Sequence, residues 1–347
     1  MDPYKEIILN NKIVKPRKSI ISPIMDSKNI LVNDTWEYVS MWLKKNNQKE
    51  ALFFWEQSKS FFNATQSLPN TSSPLTSYYC FLNATKTLLK VKNINFAEKH
   101  GVTGKRNGKL SLNNEKILFK TSGILPALQS YFNEVPENEE YTMKQLLQNL
   151  VFIHRVYNLT YSSSSDLFIP LKDVKFLRAT KKRQGRNHYE FCLSAEFDTD
   201  IVNGRTINSL PRGFEYKDNL IISDKKFKWR IGLNDKNSRN KTTLEDANKH
   251  FRKNIVYIKG LETHWYLKKD NKDSILDKSM PIITFAIMHR LSELSRYSPD
   301  ILAKYLESKH NWLLAEFLNT SVHHFIDQLS SEITGYDFVI GKNLMKS

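Results

Sequence analysis

The histidine best placed for chemistry in this sequence is His100, which lies between Lys99 and Gly101. It falls in an irregular stretch that follows two aromatic-rich segments. Polar residues on loops held by a rigid scaffold are where sites tend to form, and an imidazole there can exchange a proton near neutral pH. A structural hydrogen-bonding role is the favoured interpretation, and His100 is carried as a weak candidate for catalysis.

A second pair of weak catalytic candidates is Arg183 and His188, within the stretch KKRQGRNHYEF. Their R-x-x-x-x-H spacing is similar to that of HEPN ribonucleases, in which the pair lies at the start of a helix and two copies meet across a dimer. Here the sequence predicts a hairpin turn at the pair, because a Gly-containing turn separates two strand-like runs. The favoured interpretation is a solvated basic turn, and a HEPN-like helical ribonuclease or toxin is the alternative.

The remaining histidines and cysteines do not show the spacing of a metal site. His323 and His324 are neighbours on a predicted helix and point in different directions, so they cannot chelate one ion as an i, i+4 pair would. Cys80 and Cys192 are too few and too far apart for structural zinc or a disulfide framework. No G-x-S-x-G elbow or local signature of a catalytic cysteine is present. We therefore expect no metal and no cofactor, and the sequence favours a protein that is not an enzyme.

The segment GVTGKRNGKLS, residues 101–111, superficially resembles a phosphate-binding loop. The G-x-x-x-x-G-K-[ST] pattern fails, because Lys99 and Thr103 stand where the earlier glycine is required. A basic turn is the simpler interpretation. Its side chains Lys105 and Arg106 are candidate contacts for nucleic acid.

Positive charge is concentrated in the first two parts of the chain. Of the net charge of +16, residues 1–164 supply +8, residues 165–280 supply +9 and residues 281–347 supply −1. Such an excess raises the local potential and speeds encounter with a polyanion. The predicted hairpin carries a compact basic group that could contact phosphates, namely Lys181, Lys182, Arg183 and Arg186.

Apolar and aromatic side chains recur at helical spacing after residue 34. Asp34 or Thr35 can cap a helix over WEYVSMWL, and a second helix is predicted from Lys49 to about Gln66. Ser73-Pro74 opens a third helix, which is apolar over much of its circumference and must therefore be central to a bundle. Two further helices are predicted near Ile124–Asn133 and Met143–Leu159.

The hydrophobic period changes after the polar run YSSSSD, residues 161–166, which is the best candidate for a domain boundary. Two strands flank the predicted turn at Gln184–Asn187. Further short strands are predicted at Leu220–Ile222, Lys228–Ile231, Ile255–Ile258 and Thr263–Leu267. Helical spacing returns at Pro281, with predicted helices at Ile282–Leu294, Ile301–Leu306, Trp312–Leu318 and Val322–Leu329.

These elements predict an α+β protein that is predominantly α: a bundle of N- and C-terminal helices with a small β-rich middle region inserted. The expected divisions are an N-terminal arm at 1–33, an aromatic-rich helical domain at 34–165, a basic β-rich region at 166–280, C-terminal helices packing on the bundle at 281–332, and a tail at 333–347. No signal-peptide pattern opens the chain, and no apolar run approaches the roughly 20 residues that span a bilayer. A cytoplasmic protein is expected.

The ordered succession FFWEQSKSFFNATQ, SSPLTSYYCFLNATKTLL, EKHGVTG and LSELSRYSPDIL resembles the YaaC-like family of bacterial proteins. That family pairs an aromatic helix with a Ser-Pro-Leu…Tyr-Tyr…Leu-x-x-x-Lys helix, a His-Gly loop and a Ser-x-x-x-Arg-Tyr-x-Pro segment. The likeness runs from about Trp36 to Leu329. Structural roles are expected for four of the matching residues, Tyr78, Tyr79, Arg296 and Tyr297.

The resemblance implies a cytoplasmic, helix-dominated bacterial protein that acts in multi-protein systems, including anti-phage defence. It assigns no catalytic residues to this chain. The favoured hypothesis is a non-catalytic component that binds a partner protein, with a basic face that contacts nucleic acid and with no membrane contact.

Overall fold

The computed structural model describes residues 4–162, 166–183, 186–199, 202–231, 236–260, 262–269 and 274–340. Its helices are α1 (Thr35–Lys45), α2 (Lys49–Thr65), α3 (Ser73–Val91), α4 (Ile124–Tyr131), α5 (Met143–Gln148), α6 (His154–Thr160), α7 (Gly204–Asn208), α8 (Lys236–Phe251), α9 (Met280–Tyr297), α10 (Pro299–Glu307) and α11 (Asn311–Thr334), with a 3-10 turn at Val151–Ile153.

The strands are β1 (Tyr4–Glu6), β2 (Ile8–Leu9), β3 (Lys12–Ile13), β4 (Ile30–Val32), β5 (Val102–Arg106), β6 (Glu115–Phe119), β7 (Glu140–Thr142), β8 (Phe168–Arg183), β9 (Arg186–Phe197), β10 (Phe214–Lys217), β11 (Leu220–Ser223), β12 (Phe227–Trp229), β13 (Ile255–Ile258), β14 (His264–Lys268) and β15 (Phe338–Ile340).

The chain divides into two compact units. The sheet unit comprises Met1–Ile30, Phe168–Ile275 and Gly335–Val339, and the helical unit comprises Leu31–Leu167, Leu276–Thr334 and Ile340–Ser347. Each unit is therefore assembled from segments that are distant in the sequence.

The sheet unit is built around the hairpin of β8 and β9. These strands lie in an antiparallel sheet of order β10-β11-β9-β8-β14-β13, in which β1 also pairs with β8 and β12 with β9. A register shift between Lys172 and Lys175 interrupts the pairing of β8 with β9. Beyond this shift, β1 pairs with β8 at Leu177–Ala179, and β12 pairs with β9 at Tyr189–Phe191. The strands predicted on either side of the turn are thus confirmed, and they are longer than expected.

Helix α8 buries its apolar stripe in the core of the sheet unit. Leu244, Ala247 and Phe251 follow one another at helical spacing and share a buried cluster with Phe176 and Phe191 of the sheet. The sequence predicted no helix here, because only these few apolar residues mark its period.

Helix α3 is central to the helical unit, as its wide apolar surface predicted. It packs against α2, α9 and α11. The ring of Phe81 stacks on Phe325 of α11 with centroids 4.1 Å apart, and Tyr78 meets Phe285 of α9 edge-on at 5.4 Å. At the start of the unit, the Asp34 side chain accepts a hydrogen bond from the Trp36 N–H and caps α1, as expected.

The predicted fold class is wrong. The protein is 45% helical and 22% strand and contains a large curled antiparallel sheet, so it is not a helical bundle with a small β insert. The N-terminal residues contribute to this sheet unit, since Ile7, Val14 and Met25 are buried in its core. The size of the sheet was underestimated because a local hydrophobic period can identify a single strand but does not show which distant strands pair with it.

Two helix predictions are also corrected. The single helix expected at Met143–Leu159 is divided into α5, the 3-10 turn and α6, whereas the helices expected at Trp312–Leu318 and Val322–Leu329 are one helix, α11. Leu318 and Val322, on either side of the expected break, are both buried on the same face of α11, so the helix continues through it.

Candidate functional site

The loop that carries His100 is held in place by the start of α4. The N–H groups of Ile124 and Leu125 donate to the carbonyls of Lys99 and His100, at 2.8 and 3.1 Å. Gly123 has a φ of 132°, and a Cβ there would lie 2.6 Å from the backbone nitrogen of Gly101. The close approach of the two backbones therefore requires glycine, and it fixes the position of His100.

The His100 imidazole is bonded through Nδ1 to the Tyr78 hydroxyl, at 2.5 Å. Tyr78 is buried in α3, and burial raises the pKa of its phenol, so the hydroxyl stays protonated. Among the described residues, Nδ1 of His100 is the only hydrogen-bond partner of this hydroxyl. We assign the O–H as the donor to Nδ1, because the reverse direction would leave this buried O–H without an acceptor among the described residues; the proton of neutral His100 is then on Nε2.

Partial burial and positive neighbours both favour the neutral form of His100. Partial desolvation of the ring, followed by the charges of Arg296 and Lys86, lowers the pKa of His100 below its ordinary value. His100 is exposed to solvent as a residue. It consequently presents a neutral N–H donor at the surface, close to two permanent cations.

A second histidine, His289 of α9, lies behind the first. Its ring centroid is 5.1 Å from that of His100 and 4.9 Å from that of Tyr78. Only 5% of the residue is exposed, and its Nδ1 makes no hydrogen bond to any described residue. Burial, then the charges of His100, Arg290 and Arg296, lowers the pKa of His289 to about 3, so it is neutral at physiological pH.

Glu293 lies one helical turn after His289, with Oε1 3.8 Å from Nδ1 of that ring. Burial raises the pKa of the Glu293 carboxyl, and hydrogen bonds from Arg290 and Thr103 oppose this shift. The Thr103 hydroxyl donates to Oε1 at 3.1 Å, and Arg290 Nη1 donates to Oε2 at 3.1 Å.

Arg290 connects α9 to strand β6 and helix α10. Its Nε and Nη2 both donate to Oε2 of the fully buried Glu115, at 2.9 and 2.7 Å, and the Tyr305 hydroxyl donates to Oε1 at 3.0 Å. Gly104 makes room for this arrangement, since a Cβ there would lie 2.1 Å from Cδ of Arg290. This network holds the helix that presents His289, Glu293 and Arg296.

At the surface, Arg296 lies between two tyrosines. Its guanidinium carbon is 5.9 Å from the Tyr79 ring centroid and 5.4 Å from that of Tyr297, and it donates hydrogen bonds to both hydroxyls. Phe61 of α2 stacks on Tyr79 with centroids 5.2 Å apart. Tyr297 is 72% exposed, which leaves its ring available to a ligand.

A second aromatic and cationic group lies two turns further along the same helices. Lys86 Nζ is 5.2 Å from the Phe54 ring centroid and 6.0 Å from that of Phe96, and it forms an ion pair with Glu98 at 2.7 Å. Phe54 and Phe61 are seven residues apart on α2, as are Tyr79 and Lys86 on α3. Residues seven positions apart lie on the same side of a helix, about 10 Å apart along its axis. We call these residues together the aromatic–cationic face: Phe54, Phe61, Tyr79, Lys86, Phe96, Arg296 and Tyr297.

The structure thus brings together in one region five residues that were named as candidates from the sequence: Tyr78, Tyr79, His100, Arg296 and Tyr297. It also adds His289 and Glu293, which sequence reasoning missed. Their i, i+4 spacing within MHRLSELSRY was a visible signal, because it places two titratable groups on one side of a helix.

The other weak catalytic pair lies elsewhere, in the sheet unit. Arg183 is the last residue of β8 and His188 lies in β9, where its register partner is Lys181. Both are on strands, and a helix start is absent from this described part of the hairpin. The turn residues 184–185 lie outside the described residues.

The predicted nucleic-acid contacts fall in both units. Lys181, Lys182, Arg183 and Arg186 belong to β8 and β9 of the sheet unit, and Lys105 and Arg106 belong to β5 of the helical unit. Lys105 pairs with Glu140 at 3.1 Å, and Arg106 is exposed. Their role in binding nucleic acid stays a prediction.

Among the described residues, no set of three or more histidine, cysteine, aspartate or glutamate side chains is arranged to hold a metal ion. Within the same residues, no helix has the length and apolar character needed to cross a membrane.

These features define a two-unit α+β protein with a tyrosine-linked histidine beside an aromatic and cationic surface. The family model described as YaaC-like Protein matches residues 25–333. The chain therefore belongs to the YaaC-like family, as its ordered motifs predicted. Comparisons with curated proteins and with solved structures gave no match.

Proposed function

We propose that this YaaC-like protein is a binding component that holds a single strand of nucleic acid on the aromatic–cationic face. The observation that carries the proposal is the exposed Arg296 between Tyr79 and Tyr297, with Phe61 stacked behind Tyr79. Unpaired bases stack on aromatic rings and phosphates are held by nearby cations, which is the recurring chemistry of single-strand binding.

His100 adds a phosphate contact to this face. Its Nε2–H is a hydrogen-bond donor in the neutral state, because Tyr78 donates to the other ring nitrogen. Arg296 and Lys86, the two cations that lower the His100 pKa, supply the charge for the same anion. A bound phosphate would offset their effect and raise the His100 pKa.

The test is binding of a labelled single-stranded RNA or DNA oligonucleotide, followed by fluorescence anisotropy at low salt. Tyr297→Ala removes one exposed stacking ring and should weaken binding about tenfold, since stacking one base is worth about 1–3 kcal/mol. Trp312→Ala is the matched control, because Trp312 is likewise an exposed aromatic residue, at 58%, and lies on α11. Absence of binding at low salt, or equal losses in both variants, would contradict the proposal.

A protein partner and a role in anti-phage defence complete the proposal, and the family resemblance is what supports them. Affinity purification from the native host, with nuclease treatment before elution, should recover a defined partner protein in constant ratio. Loss of phage resistance on deletion of the gene, restored by the wild-type chain, would test the defence role.

A cytoplasmic location belongs to the same proposal. Cys80 and Cys192 are both buried and unpaired, which suits a reducing compartment. Burial raises the pKa of the Cys80 thiol to about 12, so this cysteine is inert rather than catalytic.

Ribonuclease activity is the second candidate function, and the exposed His100 near Arg296 is the observation that favours it. Cleavage of a labelled RNA by the wild-type protein should then be lost in His100→Ala. Loss in His188→Ala instead would favour the HEPN-like pair Arg183 and His188. If neither substitution changes the cleavage rate, the activity does not belong to either histidine.

A further inference from the structure

An open cleft of about 720 Å³ lies in the helical unit, where the turn before α2 meets the end of α3. Its volume falls within the range of ligand pockets, roughly 300–1,000 Å³. Its walls are the α1–α2 turn, the first turn of α2 and the loop that follows α3. We call it the amide cleft after four of its lining residues, Asn47, Gln48, Asn93 and Asn95.

These four side-chain amides are available to a ligand. No hydrogen bond joins any of them to another residue of the described chain, and Gln48 does not cap α2 although it occupies the cap position. Asn47 and Asn93 are in the left-handed backbone region, with φ of 55° and 53°, where each ends a helix. A side-chain amide offers a donor and an acceptor together, which is the pattern that reads the edge of an adenine base.

The cleft also contains an aromatic ring with two cations beside it. Lys90 Nζ is 5.6 Å from the Phe96 ring centroid and 2.6 Å from Oε1 of Glu50 on the opposite wall. Lys86 approaches the same ring at 6.0 Å and is part of the aromatic–cationic face. Phe96 is half-buried, so part of its surface remains open to solvent.

We propose that the amide cleft binds an adenine nucleotide. The adenine ring stacks on Phe96, the amides of Asn93 and Asn95 hydrogen-bond to its edge, and Lys90 with Lys49 holds the phosphate. This site shares the Phe96 ring with the aromatic–cationic face, and it differs from that face because it takes a free mononucleotide in an open cleft lined by side-chain amides. The Lys86 contact to Phe96 connects the two.

The experiment is calorimetric titration of the full chain with AMP, and with CMP, ribose 5-phosphate and inorganic phosphate as comparators. AMP should bind more tightly than each comparator. Phe96→Leu should weaken AMP binding about tenfold or more by removing the stacking ring, and Asn95→Ala should weaken it without affecting folding, since Asn95 is exposed. Asn113→Ala is the matched control, an exposed amide outside the cleft.

Several outcomes would overturn the proposal. Equal binding of AMP and inorganic phosphate would mean that only an anion is recognised, and preferential binding of ribose 5-phosphate would indicate a sugar site. No detectable AMP binding, or binding that survives Asn95→Ala and Phe96→Leu unchanged, would remove the site. The oligonucleotide measurement is separate, so failure of the strand proposal does not decide this one.

Discussion

At the scale of single residues, the Tyr78 hydroxyl determines what His100 can do. Because it donates to Nδ1, it fixes the neutral imidazole as an Nε2–H hydrogen-bond donor, suited to anchoring an anion. A structural role was expected for Tyr78 and favoured for His100. Their hydrogen bond to each other was not predictable, because it depends on the loop after α3 returning to place His100 beside Tyr78, 22 positions earlier in the chain.

The pKa of the buried His289 makes a prediction about acid stability. Its folded-state pKa of about 3 lies below the ordinary value of 6.5. The unfolded chain therefore binds a proton that the native protein does not, and stability should fall as pH decreases through 6.5 towards 3. The groups facing this ring are His100, Arg290, Glu293 and Arg296.

His289→Phe should flatten this dependence, because the ring is kept and the titrating nitrogens are removed. In urea unfolding at several pH values, the slope of unfolding free energy against pH should drop by at most about 1.4 kcal/mol per pH unit. Histidines other than His100, whose charge acts on the His289 ring, contribute equally to both proteins and cancel in the comparison. Identical slopes would show that His289 is protonated in the folded state over this range.

At the scale of elements, the contact between β5 and α9 depends on Gly104. A Cβ there would meet Cδ of Arg290 at 2.1 Å and would push the guanidinium away from the buried Glu115. Overpacking of this kind costs about 1–3 kcal/mol, and weakening a buried ion pair adds to it. Gly104→Ala should therefore lower the free energy of unfolding by about 3 kcal/mol.

The matched control is Gly204→Ala in α7, where no atom lies within 4 Å of the added Cβ. Its effect should stay within about 1 kcal/mol. Chemical denaturation of both variants measures the difference. A loss at Gly104 no larger than at Gly204 would mean that Arg290 relocates without cost.

The elements that the sequence predicted well are those with a dense local signal. Helix α1 begins after its Asp34 cap, and α3 begins at Ser73-Pro74, where a proline fits the first turn. Helix α8 had no such signal. Alongside its few apolar residues it uses Asn248, which accepts from the Arg17 N–H at 2.8 Å and donates to the Ser19 carbonyl at 2.8 Å. A docking interface made by amides has no hydrophobic period to detect.

At the scale of the whole molecule, the sheet unit could not be predicted from local pattern. Its core combines residues from the N-terminus, from β8 and β9 and from α8, so Ile7, Phe176 and Phe251 become neighbours. Pairings over such distances are set by tertiary packing. The same holds for the candidate site. The motifs that contain His100 and Arg296 could be recognised in the sequence, but their proximity in the folded protein could not be predicted from it.

The distribution of charge between the units leads to a prediction about salt. The sheet unit carries the basic hairpin, and the helical unit carries the stacking rings of the aromatic–cationic face. If the hairpin itself contacts phosphates of a nucleic acid, replacing Lys181, Lys182 and Arg183 together by alanine should reduce the slope of log affinity against log salt by about 2, since each phosphate contact on a single strand contributes about 0.7.

Tyr297→Ala should instead weaken binding at every salt concentration and leave the slope unchanged, because stacking releases no counterions. The triple substitution tests for an ionic contact of the hairpin, and Tyr297→Ala tests for an aromatic contact of the helical unit. A slope that is unaltered by the triple substitution would confine binding to the helical unit. If Tyr297→Ala also reduces the slope, Tyr297 contributes by positioning the Arg296 guanidinium on a phosphate, and its effect on binding is ionic rather than aromatic.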